Sequence, residues 1–291
     1  MEKLYVIYWS QTGNTQAMAE AIGDGISEAG KEAIVVEVGS ASIDDLKAAK
    51  VFAMGCPAMG AEVLEEMKRY VKPGVSTGKL DQVAEEIIRS HGATPSFKNY
   101  HGYPAAICAS VDDCVIHGIP SEKQILREGQ IISIDVGACL DGFHGDAART
   151  YAVGEISPLA QKMIEAAEAS FWAGMEYAKE GNHLHEISGA IEKKAKSYGC
   201  SVIRDFVGHG VGALLHEDPA IPNYKPVGRG PKLAAGMTLA VEPMVCAGDW
   251  QVKVLADQWT TVSLDGSLTA HYENTILITD GEPEVLTRVE D

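Results

Sequence analysis

The chain has 291 residues, 46% of them hydrophobic, which is enough apolar material for one large core and one small unit. Its net charge of −17 disfavours nucleic acid and anionic membranes as partners. No apolar run is long enough to span a membrane and no signal segment starts at Met1; Cys56, Cys108, Cys114, Cys139, Cys200 and Cys246 form no CxxC pair, so reduced thiols in a cytoplasmic protein are expected.

Taken from the N-terminus, Lys3-Leu-Tyr-Val-Ile-Tyr-Trp9 reads as a strand, Ser10-Gln-Thr-Gly-Asn-Thr15 as a hydroxyl-rich loop and Gln16 to Ala29 as a helix. Backbone N–H groups at a helix start, with Ser and Thr hydroxyls, suit a phosphate monoester without any Lys. A bare turn with an N-cap Thr is the plain alternative. Two more strands follow at Glu32 to Glu37 and Val51 to Gly55, and Cys56-Pro-Ala-Met-Gly60 forms a second loop.

On these residues, Met1 to about Glu66 resembles the N-terminal half of a short-chain flavodoxin. The resemblance implies strand order 2-1-3 for the part present, with an FMN phosphate held by Ser10, Thr12, Gly13, Asn14 and Thr15 and a second contact at Pro57 to Gly60. The last two strands and the aromatic loop that packs on the flavin ring in relatives are absent. Weak or no FMN binding is therefore expected, as is an unpaired edge along Val51 to Gly55.

The second part begins with helices expected at about 61–71 and 78–92. Gly74-Val-Ser-Thr-Gly78 has nucleophile-elbow spacing, but it follows Lys72-Pro73 rather than a strand and reads as the start of a helix capped at Thr77. Farther along, Ile131-Ile-Ser-Ile-Asp-Val-Gly137 reads as a buried strand, and Asp141-Gly142 as a two-residue hairpin turn. That turn sets a register in which Asp135 faces Ala148 and Gly137 faces Asp146. Both carboxylates then lie diagonally on one face, about 7–8 Å apart at the backbone, which suits one or two ions better than a shared proton. A surface hairpin with solvated acids is the alternative.

Helices are expected near 157–179 and 184–198. His185-Glu186 and His216-Glu217 each open a zincin-like pattern, yet Gly189 and Ala220 stand where the second His is needed. The strands that follow carry Gly208-His-Gly-Val-Gly212, Val241-Glu-Pro-Met244 and Ala270-His-Tyr-Glu-Asn-Thr275. Taken singly, the His is a turn residue and the Glu a strand end. Glu242, like Asp135, sits in an apolar strand with no Lys or Arg beside it, and an ionised group buried there costs several kcal/mol unless a cation is supplied.

Together with Tyr100-His-Gly-Tyr-Pro104, His117-Gly-Ile-Pro120, Gly145-Asp146, Arg204-Asp-Phe-Val-Gly-His-Gly210 and His216-Glu-Asp-Pro219, this ordered set resembles type I methionine aminopeptidases of the pita-bread metallopeptidases, from about Ala61 to Thr287. The resemblance implies an α+β fold with two related halves of antiparallel sheet and helices outside. It implies that Asp135, Asp146, His209, Glu242 and Glu273 bind two divalent ions, Co, Mn, Fe or Zn by donor type. It also implies removal of the initiator methionine from nascent proteins and peptides with a small second residue, by dinuclear-metal-activated water. Glu242 is then the general base, His216 an oxyanion or peptide contact, and His117 a substrate contact near the leaving side. Tyr100, Tyr103, Cys108 and Trp259 match the methionine pocket, whose edge carries Leu215 where relatives often have an aromatic.

The expected organisation is thus a flavodoxin-like half at 1–60 and an aminopeptidase domain at 61–291, overlapping at Ala61-Glu-Val-Leu-Glu-Glu66. Natural recombination or joining of two sequences would each leave such a junction. A flavin electron carrier and a pita-bread module without catalysis are the competing readings. The first lacks its ring site, and the second would lack a metal ligand, of which none is missing.

Overall fold

The computed structural model describes residues 3–8, 14–37, 40, 52–55 and 59–288. The chain divides into two compact units, Met1–Met59 and Gly60–Asp291. In the first, β1 (Lys3–Tyr8), α1 (Asn14–Glu28), β2 (Glu32–Glu37) and β3 (Phe52–Gly55) follow one another, and the strands pair in parallel in the order β2-β1-β3. A Cβ at Gly23 would collide with Val35, so α1 lies directly on β2. Among the described residues β3 pairs with β1 alone. Ser10, Thr12 and Gly13 of the expected phosphate loop, and Pro57 of the second loop, lie outside the described residues, while Asn14 and Thr15 open α1 two residues before the expected start.

The second unit opens with α2 (Met59–Lys68) and α3 (Thr77–Ser90). Leu80, Val83, Ala84, Ile87 and Ile88 give α3 a single apolar stripe, which explains why it forms and what it buries. Its cap corrects the sequence reading. Ser76 is the N-cap, its Oγ accepting from the Lys79 amide at 3.0 Å, whereas Thr77 is already helical and bonds across to the Ser121 carbonyl and the Gln124 side chain.

Next come β4 (Thr94–Pro95), β5 (Ile107–Val111), β6 (Cys114–Ile116), β7 (Ile131–Leu140) and β8 (Phe143–Ala152). Helices α4 (Pro158–Met175) and α5 (Leu184–Ser197) follow. Ser157 caps α4 with Pro158 in its first turn; the helix ends at Met175 rather than near 179, because the chain turns back through bonds from Tyr177 to Gly174 and from Ala178 to Met175. In α5, Glu186 closes a capping box on the His183 amide, so His185-Glu186 begins an ordinary helix.

The C-terminal part supplies β9 (Ser201–Val202), β10 (Gly208–Gly210), β11 (Glu217–Ile221), β12 (Thr238–Val241), β13 (Met244–Cys246), β14 (Val252–Val254), β15 (Thr261–Ser263), β16 (Thr269–His271), β17 (Glu273–Leu277) and β18 (Glu284–Val285). The main sheet runs β11-β10-β12-β17-β8-β7-β4, with β18 on β17 and β5 on β7; every pairing in it is antiparallel. Leu239, Val241 and Ile276 point from one face into a core shared with Met163, Ala167 and Phe171 of α4 and Ile187 and Ile191 of α5. A strand alternates its faces, so Ala240, Glu242, Glu273 and Thr275 must point the other way.

The β7–β8 hairpin turns at Asp141-Gly142, both at positive φ (51° and 86°), the geometry of a two-residue primed turn. Its register pairs Asp135 with Ala148 and Gly137 with Asp146, as expected from the turn. A Cβ at Gly142 would meet no neighbour, so Gly142→Ala should act through backbone strain alone. The expected loss is about 1–2 kcal/mol, which lowers the melting midpoint by roughly 2–8 °C. An unchanged thermal melt would show that this turn does not hold the register.

Candidate metal centre and substrate pocket

Five neighbouring strands of the main sheet, in the order β10-β12-β17-β8-β7, each deliver one candidate ligand to the same face. His209 stands opposite Ala240, which stands opposite Thr275, two residues from Glu273; Glu273 stands opposite Ala148, which faces Asp135 and lies two residues from Asp146. Glu242 follows β12 directly, two residues after Ala240. The centre of this row holds the short side chains of Ala148 and Ala240, both fully buried, which leaves room between the acids.

The local sequence explains why these strands come so close. A Cβ on Gly208 would collide with the Ala240 carbonyl, and one on Gly210 with the Asp218 carbonyl, so the glycines around His209 permit tight backbone approach within β10 rather than forming a turn. A Cβ on Gly137 would come within 2.6 Å of the Phe97 ring, and its absence lets Phe97 reach the pocket. Thr275 locks β8 to β17, its hydroxyl accepting from the Asp146 amide and donating to the Asp146 carbonyl at 2.9 Å each.

Electrostatically the cluster is incomplete as protein alone. Among the described residues no Lys or Arg pairs with any of the four carboxylates; the ion-pair contacts of Asp146, Glu242 and Glu273 are imidazoles. Arg149 lies near, but donates to the Glu273 carbonyl (2.6 Å) and the Asn274 side-chain oxygen (2.7 Å), with its guanidinium over Tyr272. Burial holds the carboxyls of Asp135, Glu242 and Glu273 well above the usual carboxylate range, the neighbouring acids adding to it, and burial raises Asp146 to about 7. Asp135 Oδ1, Asp146 Oδ1 and Glu273 Oε1 are buried without a hydrogen-bond partner. Orphaned acid oxygens converging on one face fit divalent cations, which would supply the missing charge and ligation together.

Two groups of side chains have donor atoms close enough to hold one ion each: Asp146, His209 and Glu273, and Asp135, His271 and Glu273. The first combines expected ligands. His209 Nδ1 must donate to the Gly210 carbonyl at 2.9 Å, which leaves Nε2 unprotonated and turned toward the acids, 3.6 Å from Glu242 Oε1 and 3.9 Å from Asp146 Oδ2. Burial pulls the His209 pKa down, favouring that neutral form. The second group contains a residue that the sequence reading passed over. His271 is 2% exposed, and burial, with His117 and Arg149, pulls its pKa down to about 3. Its position two residues before Glu273, on the same side of an extended chain, was the available signal.

A cavity of about 330 Å³ opens onto this cluster, and every expected catalytic and pocket residue lines it. Tyr103, Cys108 and Leu215 pack with Phe97 and Ala105 into an apolar wall, with Tyr100 and Trp259 against it. Leu215, expected at the edge, is buried within that wall. Tyr103 is fixed by its hydroxyl, 3.0 and 3.1 Å from the Ile107 and Gly118 carbonyls, and its ring meets Trp259 edge-on. His216 stacks on Tyr100 and shares a 2.8 Å hydrogen bond between Nδ1 and the tyrosine hydroxyl, with the His209 ring 4.2 Å away. His117 contacts Phe206 and Trp259 edge-on. Burial, together with neighbouring histidines, pulls both His117 and His216 down to about 4, so each is neutral near pH 7.

Sequence comparison gives the same picture over a longer span. The model of metallopeptidase family M24 matches residues 56–280, and the flavodoxin model matches residues 6–73, so both lay claim to α2. The methionine aminopeptidase of Clostridium acetobutylicum is 53% identical over 229 residues, 79% of this chain and 92% of its own length. Methionine aminopeptidase 1 of Bacillus subtilis is 52% identical over 225 residues, 77% of this chain and 90% of its own. The crystal structure of methionine aminopeptidase from Thermotoga maritima superposes with a TM-score of 0.78 at 43% identity, over 80% of this chain and 93% of that one, which identifies the second unit as the pita-bread fold. A match of this extent, with relatives half identical over nine-tenths of their length, puts the chain in metallopeptidase family M24.

Proposed function

We infer that this chain is a metal-dependent methionine aminopeptidase that removes the N-terminal methionine from peptides and nascent proteins. The observation that carries the reading is the meeting of an apolar wall with a row of uncompensated acids in one cavity of about 330 Å³. Similarity to methionine aminopeptidases over nine-tenths of their length supports it. The donor set of carboxylates and imidazole suits two Co, Mn, Fe or Zn ions held by Asp135, Asp146, His209, Glu242 and Glu273. Such ions supply Lewis acidity, making a water a better nucleophile at neutral pH and polarising the scissile carbonyl.

The remaining chemistry belongs to side chains of this chain. Tyr103, Cys108 and Trp259 receive the methionine side chain, the thiol and rings being soft partners for a thioether. Glu242, which lines the cavity beside the other acids, takes the proton of the attacking water and returns it to the leaving amine. His216 acts as a neutral donor. With Nδ1 accepting from the Tyr100 hydroxyl, its Nε2 carries the hydrogen and can meet the oxyanion that develops on the substrate carbonyl. His117, neutral and at the cavity wall, contacts the peptide beyond the scissile bond, where a small second residue is favoured. A cytoplasmic setting fits this substrate; among the described residues no helix is long and apolar enough to cross a membrane.

Purified protein supplied with Mn, Fe, Co or Zn is expected to release methionine from Met-Ala-Ser, and Glu242→Gln to lower turnover by roughly 10²–10⁴-fold while reducing metal content. No release with any of the four metals would sink the reading; activity within a few-fold of wild type in Glu242→Gln would remove that residue from the mechanism.

For residues 1–60 we propose a flavodoxin-like half-domain, a reading supported by the parallel β2-β1-β3 order and the match at 6–73. It holds FMN weakly if at all, since a phosphate loop grips only one end of the cofactor. Adding FMN to the full-length protein and separating free flavin should leave no yellow protein; a stoichiometric flavin spectrum would contradict this.

A further inference from the structure

Trp259 joins two parts of the cavity wall. Its ring meets Tyr103, in the apolar wall, edge-on at 5.1 Å, and His117 edge-on at 6.2 Å. Yet it belongs to the tip of the β14–β15 hairpin, where its neighbours Asp257 and Gln258 are exposed. A side chain carried on an exposed tip keeps one position only if the tip itself is held rigid.

One carboxylate supplies that rigidity. Asp257 Oδ1 accepts from the Trp259 amide at 2.9 Å and from the Thr260 amide at 2.8 Å, so the side chain takes the place of a backbone acceptor. Between them Gln258 has a φ of 68°, in the left-handed region that favours glycine, and its amide donates to the Leu255 carbonyl at 3.0 Å. The Leu255 amide donates in turn to the Thr260 carbonyl at 2.8 Å, and Thr261 Oγ1 to the Trp259 carbonyl at 3.1 Å. Thr261 then pairs with Ile116, the residue before His117, across β15 and β6. Asp257 itself does not line the cavity.

Resting on the aminopeptidase reading above, we propose that Asp257 is a positioning residue for substrate binding: without touching the peptide, it holds the Trp259 ring where it closes the methionine pocket against Tyr103 and packs on His117. The methionine side chain and the chain beyond the scissile bond are thereby bound by walls that share one support. What the tip requires is an acceptor oxygen on Cγ, not a negative charge. Asn meets that requirement, whereas Glu keeps the charge but carries its oxygens one carbon farther out.

The test compares Asp257→Ala, Asp257→Asn and Asp257→Glu in the full-length, metal-loaded protein by kinetics and by fluorine NMR. Asp257→Ala and Asp257→Glu should raise KM for Met-Ala-Ser by about tenfold while kcat stays within about threefold, and Asp257→Asn should restore the wild-type KM. With 5-fluorotryptophan in place of the four tryptophans, the Trp259 resonance, identified by Trp259→Phe, should shift or broaden in the Ala and Glu variants, stay in place in Asp257→Asn, and leave the other three unmoved. A Trp259 resonance unmoved in Asp257→Ala, rescue by Glu but not by Asn, or a loss confined to kcat would overturn the proposal. Failure of wild type to release methionine would sink the aminopeptidase reading instead, and the fluorine spectra would still decide whether Asp257 positions Trp259. Should Asp257→Ala not fold, Asp257→Glu against Asp257→Asn makes the same comparison.

Discussion

Four carboxylates on one sheet face, with no Lys or Arg paired to them among the described residues, are the constraint around which the second unit is organised. Left alone they could not all ionise, since each would carry its desolvation cost and repel its neighbours. Arg149 is turned instead to a carbonyl and an amide oxygen and to the Tyr272 ring, where it fastens β8 to β17. The charge that completes the cluster must come from outside the chain. A fold that accepts this cost gains a site of fixed geometry in which two divalent ions would balance the four carboxylates.

The rest of the architecture serves that convergence. Ala148 and Ala240 keep the middle of the ligand row empty, and Gly208 and Gly210 let β10 lie against its neighbours. The opposite sheet face packs Leu239, Val241 and Ile276 against α4 and α5, so the strands are braced from behind while their front face bears the acids. The pocket wall of Tyr103, Cys108 and Leu215 lines the same cavity as the acids, which places a bound side chain beside the acid cluster.

Much of this was legible in the sequence because it depends on local rules. Asp141-Gly142 demanded a primed turn, the turn set the register, and the register put Asp135 and Asp146 on one face. Helix α3 followed from its apolar spacing, though Ser76 rather than Thr77 caps it, because the Thr77 hydroxyl has partners at Ser121 and Gln124 that are distant in the sequence. The role of Gly208 and Gly210 was hidden for the same reason: the carbonyls they avoid belong to Ala240 and Asp218. His271 escaped notice since a histidine in a short strand gives no sign of its neighbours, and its surroundings are assembled from β7, β8 and β13. In the first unit the strands and the helix were legible as short apolar runs, while their parallel order was implied only by the flavodoxin resemblance.

The central claim, that metal charge completes this acid cluster, is tested most directly by the thermal melt of the full-length protein in chelator and in Mn(II) or Co(II). At free metal a hundredfold above its dissociation constant, binding to the folded state adds about 2.7 kcal/mol per site. The midpoint of the unit that carries the cluster should therefore rise by roughly 5–11 °C for each site filled, and Glu273→Gln should blunt the rise because both candidate ion positions share that residue. Identical melts with and without metal would contradict the account.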